Sequence, residues 1–384
     1  MEKRIYLDHA AAMPVHPGVA RFAGQFPDGF AGNPSTIYRE GLVAQETLAI
    51  AREKVAGLIG ARSADSIIFT SGATESNNIA VRGTALRNAK KGKRIVASAI
   101  EHISVLNPAK DLQKGGFTLT LAPVDRYGTV DLDALGAAVT PETIVASVHY
   151  ANNEIGTVQP IREVAEIVHD RGGLLHADAT DAAGRIPIDV ERDGVDLLTL
   201  SGNQLGGPDG VGALYIRPGI RVQPVIFGGG QERGLRPGTE NVFSIACMGE
   251  AARLAGEEMP EESRRLRAVR DSLIAGIMEI EEAHLTGHPT ERLPHHASFR
   301  FSRIEGESIQ LAMDMLGIAV ATGSACTSRT LEASHVLLAI GLTHDEAHGS
   351  MVATLGRENS EGEVPRIVRA VGETVKRLRA ITSL

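Results

Sequence analysis

The sequence predicts an α/β protein with a mainly parallel sheet flanked by helices, followed by a smaller α+β domain. Short apolar runs alternate with helix-length amphipathic segments, which is typical of parallel strands connected by helices. The chain has 384 residues, too many for one small core and enough for two domains. A charged stretch, Glu257–Arg270, contains Pro260 and is interpreted as a hinge between the two.

The elements can be placed in chain order from these patterns. The predicted strands are Ser66–Thr70, Arg94–Ser98, Thr143–Val148, Leu174–Ala177, Leu197–Leu200, Ala213–Ile216 and, in the smaller domain, His296–Phe301. The predicted helices are Leu42–Ile59, Glu75–Asn88, Ile161–Asp170 and Val242–Glu258. We therefore predict a large domain over residues 15–255 and a small domain made of residues 1–14 and 256–384.

The composition argues against several classes of function. Apolar residues make up 43% and charged residues 22%, as in ordinary soluble proteins, and the formal charge of -8 disfavours nucleic acid or an anionic membrane as partner. No apolar run approaches the roughly 20 residues that span a bilayer. Met1–Arg4 leads directly into a strand-like segment, unlike a signal peptide. Two cysteines, Cys247 and Cys326, cannot form a disulfide framework, so we expect a cytoplasmic protein.

Polar residues follow several of the predicted strands. Because ligands bind outside the carboxyl ends of strands in open parallel sheets, we expect these residues to converge on one crevice. The polar segments are Ser71–Ser76, Glu101–His102, Asn152–Glu154, His176–Asp178 and Ser201–Gln204.

Three of these segments suggest particular chemistry, each with a plainer alternative. Ser71–Thr74 lies between a strand and a helix and fits a phosphate cradle, although it also fits a simple helix cap. Asp178 could pair with a protonated pyridine nitrogen or be an exposed turn residue. His102 could stack on a ring or shuttle protons, or it could be structural.

One cysteine lies in a loop of small residues. Gly323–Ser328 carries Cys326, and such a loop presents a thiolate with little steric hindrance, as a nucleophile requires. The alternative is a small buried hydrophobic residue. Cys247 lies in an apolar helix pattern and is interpreted in that second way.

Taken together, these segments resemble the cysteine desulfurases, which form part of the class V aminotransferase branch of fold-type I pyridoxal-phosphate enzymes. The resemblance extends from end to end of the chain in the family's order and spacing. The matching segments are Tyr6–Asp8, Gly32–Ser35, Thr70–Asn78, Glu101–His102, Asn152–Gly156, His176–Asp178, Gly206–Pro208, Gly210–Gly212, Gly228–Gly234, Arg236, Gly238–Asn241 and Gly323–Ser328.

The resemblance implies a fold and a reaction. The fold is a mainly parallel seven-stranded sheet flanked by helices, with a smaller α+β domain. In the family, a lysine holds pyridoxal phosphate as a Schiff base, and the substrate cysteine condenses with the cofactor. A loop cysteine then takes the sulfur as a persulfide and supplies iron–sulfur cluster assembly or other sulfur-accepting proteins.

The family's roles carry over by position. Ala73, Thr74 and Ser201 should face the phosphate, with Thr239 contributed by the second subunit of a homodimer. His102 should stack on the ring, while Asn153 and Asp178 hold its polar edge. Asn33, Arg236 and the position of Val352 correspond to substrate contacts, and Cys326 to the persulfide position.

Three departures affect one chemistry. The family's His-Lys pair is Asn203-Gln204 here, and a carboxamide cannot form a Schiff base. None of the eight lysines lies between Lys114 and Lys376. The family's glutamine near the phenolic oxygen is Asp181, and its carboxylate-binding arginine is Val352. The site thus loses two cations and gains a carboxylate against an anionic cofactor and substrate.

These departures lead to three hypotheses. The favoured one is a desulfurase-derived protein without turnover, in which Cys326 relays sulfur or ligates an iron–sulfur cluster with a scaffold or other acceptor protein. In the second, pyridoxal or pyridoxamine phosphate is bound without a covalent link and His102 acts as base. In the third, the protein is an active L-cysteine desulfurase that uses an unconventional route. Gln204 separates the first from the third, and the retained cofactor contacts keep the second open.

Overall fold

The computed structural model describes residues 3–26, 29, 32–323 and 333–382. The strands are β1 (Ile5–Tyr6), β2 (Ile67–Thr70), β3 (Arg94–Ser98), β4 (Thr118–Ala122), β5 (Thr143–Ser147), β6 (Leu174–Asp178), β7 (Leu197–Ser201), β8 (Gly212–Ile216), β9 (Ala283–Leu285), β10 (His296–Phe301), β11 (Ile318–Ala319) and β12 (Ser350–Thr354). The α-helices are α1 (Pro17–Ala23), α2 (Arg39–Leu58), α3 (Ala73–Asn78), α4 (Thr84–Arg87), α5 (Ile103–Gln113), α6 (Leu132–Ala138), α7 (Ile161–Asp170), α8 (Val242–Met278), α9 (Gly306–Met315), α10 (His335–Ala339), α11 (His344–His348) and α12 (Val364–Thr382).

The main sheet has seven strands in the order β2-β8-β7-β6-β5-β3-β4. The five neighbouring strands from β7 to β4 in this order are all parallel to one another. Strand β8 runs antiparallel to both β7 and β2. Every residue of β5 and β8 is buried, as expected for strands covered on both faces. The predicted mainly parallel, seven-stranded sheet is confirmed.

Helices cover this sheet through apolar faces. In α7, Ile161, Val164, Ala165 and Val168 are buried and recur at helical spacing. The segment after β2 continues as helix from α3 through a π-helical stretch, Ile79–Gly83, into α4. The helices predicted in both places are confirmed.

The smaller sheets involve the two ends of the chain. Strands β12, β10 and β9 form an antiparallel sheet, and β1 pairs in parallel with β11, with Ile5 opposite Ile318. The N-terminal strand therefore packs beside late residues of the chain. One hydrophobic core includes Val55, Leu198 and Met248, and another includes Ile5 and Phe299. The division at residue 255 stays a prediction.

The stretch predicted as a hinge, Glu257–Arg270, is helical and lies inside α8. The first part of α8 packs in one hydrophobic core and its last part in the other, so the stretch connects the two cores, and its role as a hinge stays a prediction. Proline removes one helix hydrogen bond, but Pro260 and its close neighbours are exposed or half-buried, so water can satisfy the carbonyl that loses its partner. Strand β4 escaped prediction because it lies at the sheet edge and is only partly buried. No described helix is both long and apolar enough to cross a membrane.

Candidate active site

A cavity of about 390 Å³ lies beside the carboxyl ends of the parallel strands. Residues from the N-terminal segment and from β11–β12 complete its wall, so both ends of the chain contribute to it. Eight predicted site residues line this cavity: Ala73, Thr74, His102, Asn153, Asp178, Asp181, Gln204 and Val352. The expected convergence of polar strand ends is therefore confirmed for these residues, whereas their chemical roles stay predictions.

Asp178 is held firmly at the end of β6. Its Oδ2 accepts a hydrogen bond from Asn77 Nδ2 at 2.7 Å, and its Oδ1 accepts from the Thr180 amide at 3.0 Å and the Thr180 hydroxyl at 2.5 Å. The residue is 7% exposed. Donors to both oxygens fix the orientation of the side chain. A carboxylate held in this way suits a protonated ring nitrogen.

His102 lines the cavity, and Ser104 contacts one of its ring nitrogens. The Ser104 amide donates to His102 Nδ1 at 3.1 Å, and the Ser104 hydroxyl lies 2.7 Å from the same atom. Because Nδ1 accepts the amide hydrogen, the proton of the neutral ring lies on Nε2. In this state His102 offers a hydrogen-bond donor, which disfavours its expected role as a base at Nε2.

Gln204 lies in a short 3₁₀ turn, Asn203–Leu205, directly after β7. Its Nε2 donates to the Ala10 carbonyl at 2.5 Å, so this side chain fastens the N-terminal segment to the cavity wall. Its neighbour Asn203 instead accepts from the Ser201 hydroxyl at 2.8 Å and donates to Asp209 at 3.3 Å. Ser201 and Asn203 do not line the cavity, although both were assigned to the cofactor.

Three further predicted residues lie outside the cavity. Asn33 accepts from the Ser35 amide at 2.9 Å, and Arg236 pairs with Glu75 over 3.3 Å. Thr239 is exposed, which agrees with its assignment to a second subunit's site but does not test it. Cys326 lies outside the described residues.

Three ionisable residues in the wall were given no role at the site from the sequence, although the segment ending in Glu154 was expected at the crevice: Asp8, His149 and Glu154. His149 lies two residues after β5, so the rule used for the other strand ends could have identified it. Burial raises the pKa of the Glu154 carboxyl to about 7, although the Ser334 hydroxyl donates to it. Asp8 lies near the N-terminus and outside the main sheet, so the strand order of that sheet does not predict that it reaches the wall.

Asp181 is an acid assigned to the site whose pKa is raised. Burial raises its pKa to about 7, the Asp178 charge adds to this, and Arg185 opposes it. No described residue donates a hydrogen bond to its carboxylate. The expectation that Asp181 places a negative group beside another acid is supported by its coupling to Asp178.

No lysine occurs among the described residues that line this cavity. Lys54 pairs with Glu250 over 2.8 Å, Lys114 pairs with Asp111 over 3.1 Å, and Lys93 lies 5.8 Å from the Phe117 ring centroid. The described part of the chain also contains no group of three histidine, cysteine or acidic residues that could hold a metal ion.

Comparison with known proteins gives the family. Residues 5–367 match the family described as Aminotransferase class-V. The chain is 50% identical over 379 residues to cysteine desulfurase IscS 1 of Archaeoglobus fulgidus, covering 99% of each chain. It is 45% identical to cysteine desulfurase IscS of Methanosarcina thermophila, covering 100% of this chain and 94% of that protein.

Solved structures of similar proteins have the same fold as this chain. A NifS-like protein superposes with a TM-score of 0.91 at 36% identity, covering 98% of this chain and 100% of that one. SspA in complex with cysteine superposes with a TM-score of 0.80 at 32% identity, covering 91% of this chain and 98% of that one. The chain belongs to the class-V aminotransferase family. Its relatives place it in the cysteine desulfurase IscS branch, a pyridoxal-phosphate-dependent group.

The residues present fit the ring of pyridoxal phosphate but not a covalent bond to its aldehyde. Asp178 is fixed at a buried strand end, and His102, Thr74 and Asn153 share its cavity. Gln204 carries an amide nitrogen that donates to the Ala10 carbonyl, and no lysine occurs among the described residues of the wall.

Proposed function

We propose that this protein belongs to sulfur mobilisation without releasing sulfur by Schiff-base chemistry. In this proposal it binds pyridoxal phosphate non-covalently or not at all, and Cys326 accepts sulfur, or ligates a cluster, supplied by a partner. The observation that carries the proposal is that Gln204, and no lysine, lies among the described residues of the cavity wall.

The remaining departures support the same interpretation. Val352 is 5% exposed and lies in the wall where the family's arginine would bind a substrate carboxylate. Losing a charge-assisted contact costs about 1.5–3 kcal/mol. Asp181 adds a carboxylate to the same cavity. A cysteine substrate, which carries its own carboxylate, would therefore bind weakly.

The chain's own residues can still hold the cofactor ring. When bound, pyridoxal phosphate supplies an electron-withdrawing pyridine ring. Asp178, fixed by Asn77 and Thr180, would pair with the ring nitrogen, and His102 would lie against the ring. Thr74, in the segment predicted to be a phosphate cradle, would donate its hydroxyl to the phosphate.

The proposed partners follow from the family's positions. Thr239 would complete the phosphate site of a second subunit in a homodimer. An iron–sulfur scaffold or another sulfur-accepting protein would meet Cys326. The cytoplasmic location expected from the two cysteines belongs to the same proposal.

The test of the proposal is a covalent trap. Purified protein is incubated with pyridoxal phosphate, dialysed to remove cofactor that is not held at the site, reduced with borohydride, digested and mapped, and sulfide release from L-cysteine is measured in parallel. We expect no cofactor-modified lysine and no sulfide above the level of free cofactor. An adduct on any lysine, or sulfide release at ordinary desulfurase rates, would contradict the proposal and favour an unconventional active desulfurase.

A second function is favoured by the intact Asp178 network. An enzyme could use non-covalently bound pyridoxal or pyridoxamine phosphate, as the retained ring contacts allow. The expected base, His102, is disfavoured by its hydrogen bonds with Ser104. Consumption of an added amino or keto substrate with cofactor, without any lysine adduct, would select this function.

A further inference from the structure

A second cavity, of about 730 Å³, shares no described lining residue with the candidate active site. It lies between the segment that follows β8, residues 217–224, and the turn at Gln231–Gly234. The formal charge of the chain is -8, yet this cavity is basic. Its described lining includes one acid, Asp65, and four arginines: Arg87, Arg217, Arg221 and Arg233.

Three of these arginines have no acceptor within the described structure. Arg217 pairs with Asp196 over 3.1 Å. The side chains of the other three, Arg87, Arg221 and Arg233, are exposed and make no hydrogen bond or ion pair with a described residue, Asp65 included. Three guanidinium groups around one cavity repel one another unless an anion lies between them.

The backbone that carries Arg221 is held in place. Asn88 Nδ2 donates to the Arg221 carbonyl at 3.3 Å, and the Gln223 amide donates to the Gly83 carbonyl at 3.2 Å. A Cβ at Gly83 would lie 2.5 Å from the Gln223 carbonyl oxygen, so this close approach requires glycine. The segment after β8 therefore packs tightly on the helical segment that carries Arg87.

Arg233 is presented to the cavity by a strained turn. Glu232 and Arg233 have φ values of 46° and 56°, in the left-handed region that residues other than glycine rarely adopt. Glu232 fixes this turn, because its carboxylate accepts two hydrogen bonds from the Arg52 guanidinium and one from the Phe69 amide at 2.8 Å. Strain that is held in this way and directs an arginine to a cavity points to a role for that arginine.

The cavity also has an apolar wall. Ile220, Val222 and Leu235 line it and pack against a hydrophobic core that includes Ile68 and Leu214. The volume lies within the range of about 300–1,000 Å³ that is typical of sites for small ligands. A ligand held by its anionic groups therefore has a fixed apolar surface beside it.

We propose that this cavity binds a ligand with two or more linked phosphate groups, held by Arg87, Arg221 and Arg233. Guanidinium groups donate paired hydrogen bonds to phosphate oxygens, and a terminal phosphate offers three such acceptors. A single phosphate or a carboxylate brings fewer acceptors and less charge to three arginines. The phosphates belong either to an inorganic oligophosphate or to a nucleotide, whose base would then lie on the apolar wall. The site is independent of the proposed function, because it involves neither the cofactor nor Cys326.

The experiment measures binding by calorimetry on the full-length protein at one salt concentration. The ligands are pyrophosphate, inorganic triphosphate, adenosine triphosphate, orthophosphate and citrate. The test variants are Arg221→Gln/Arg233→Gln and Arg87→Gln. Each removes positive charge from exposed side chains that have no partner among the described residues, so the fold should be retained.

Two controls separate this cavity from unspecific effects. Arg171→Gln/Arg267→Gln removes the same charge as the double variant from two exposed arginines that line neither cavity. Thr74→Ala controls for anions that bind at the predicted phosphate cradle of the candidate active site. Both controls should bind triphosphate as wild type does.

We expect wild type to bind pyrophosphate and triphosphate at least about tenfold more tightly than orthophosphate or citrate, because each added charge-assisted hydrogen bond contributes about a factor of ten. Arg221→Gln/Arg233→Gln should lose at least about tenfold in affinity for triphosphate, and Arg87→Gln about three- to tenfold. Tighter binding of adenosine triphosphate than of inorganic triphosphate would identify a nucleotide as the source of the phosphates, and equal binding an oligophosphate; both results support the proposal.

Three results would overturn it: no binding of triphosphate to wild type, equal binding of citrate, or an equal loss of affinity in either control. If the double variant fails to fold, the comparison of Arg87→Gln with wild type decides.

Discussion

His296 Nε2 donates a hydrogen bond to the Asn153 carbonyl oxygen at 2.8 Å, so strand β10 holds the loop that carries Asn153 and Glu154 of the cavity wall. His296 is fully buried, and burial lowers its pKa to about 3, so the ring is neutral. Gly156 fits against this ring because a Cβ there would lie 2.7 Å from His296 Nδ1. Asn153 is therefore positioned by a strand distant in sequence.

We predict that His296→Ala both destabilises the protein and loosens the site. Loss of a buried ring and its hydrogen bond should lower the free energy of unfolding by about 2–4 kcal/mol. Affinity for pyridoxamine phosphate should fall as well, because Asn153 loses its anchor. His296→Gln, whose amide can donate, should recover part of the affinity.

Denaturant unfolding and calorimetry check this prediction. His344→Ala, at an exposed position in α11, is the control and should change neither quantity. A His296→Ala protein of lowered stability but unchanged ligand affinity would leave His296 a purely structural residue.

The stability of the protein should depend on pH through Asp181 and Glu154. Their pKa values are raised to about 7 in the folded protein, whereas unfolded carboxyls titrate near about 4. Between these values the folded protein holds protons that the unfolded chain has released. The free energy of unfolding should therefore decrease as the pH rises from about 4 to 7, by at most about 1.4 kcal/mol per pH unit for each group.

The measurement is urea unfolding of wild type and Asp181→Asn/Glu154→Gln at several pH values. The difference between the two proteins isolates these carboxyls from buried histidines, whose lowered pKa values act in the opposite direction below pH 6.5. We expect the double variant to gain stability relative to wild type as the pH rises. A difference that does not vary with pH would show that both carboxyls titrate normally.

The fold could be predicted where local pattern and burial coincide. Strands such as β5 are buried along their whole length and appear as continuous apolar runs. The edge strand β4 mixes exposed and half-buried residues, and its apolar pattern is correspondingly weak. Around Pro260 the local pattern is misleading, because it predicts a helix break where the structure is helical. Packing of the rest of α8 overrides the effect of the proline.

The site was only partly predictable for a related reason. Asp178 and His102 follow strands, so strand order alone brings them together. Asp8 reaches the wall because β1 pairs with β11, a long-range contact that no local pattern encodes. Gln204 could be identified as a departure, but its bond to Ala10 depends on how the N-terminal segment crosses the cavity.

A lysine amine at position 204 should restore the covalent link to the cofactor but not, by itself, sulfide release. We predict that Gln204→Lys gives a borohydride-reducible linkage to pyridoxal phosphate but little sulfide from L-cysteine, because Val352 still lacks a substrate-binding charge. Adding Val352→Arg should raise sulfide release more than the product of the single effects, since both groups act on one bound substrate.

Peptide mapping and sulfide assays check this rescue. Val352→Arg alone is the control, because a cation without the covalent link should release no sulfide. Full activity from Gln204→Lys alone would show that the carboxylate-binding position is dispensable.

The last prediction compares the two cysteines of the chain. Cys247 lies within α8 and is 2% exposed, and burial raises the pKa of its thiol, so little reactive thiolate forms near neutral pH. Cys326 lies in the small-residue loop predicted to present a nucleophile. We therefore expect iodoacetamide to modify Cys326 in the native protein at least about tenfold faster than Cys247, which should react only after unfolding.

The same difference between the two cysteines should appear when the protein captures sulfur or an iron–sulfur cluster. We expect wild type and Cys247→Ala, purified anaerobically with an iron–sulfur scaffold, to retain iron or persulfide sulfur, and Cys326→Ser to lose most of it. Cys247→Ala controls for the loss of any thiol, because it removes a cysteine of the same chain from a buried site. If all three proteins recover the same iron, sulfur and scaffold, Cys326 takes no part in the transfer. The second function, an enzyme with non-covalently bound cofactor, would then be favoured, because it does not depend on a reactive thiol.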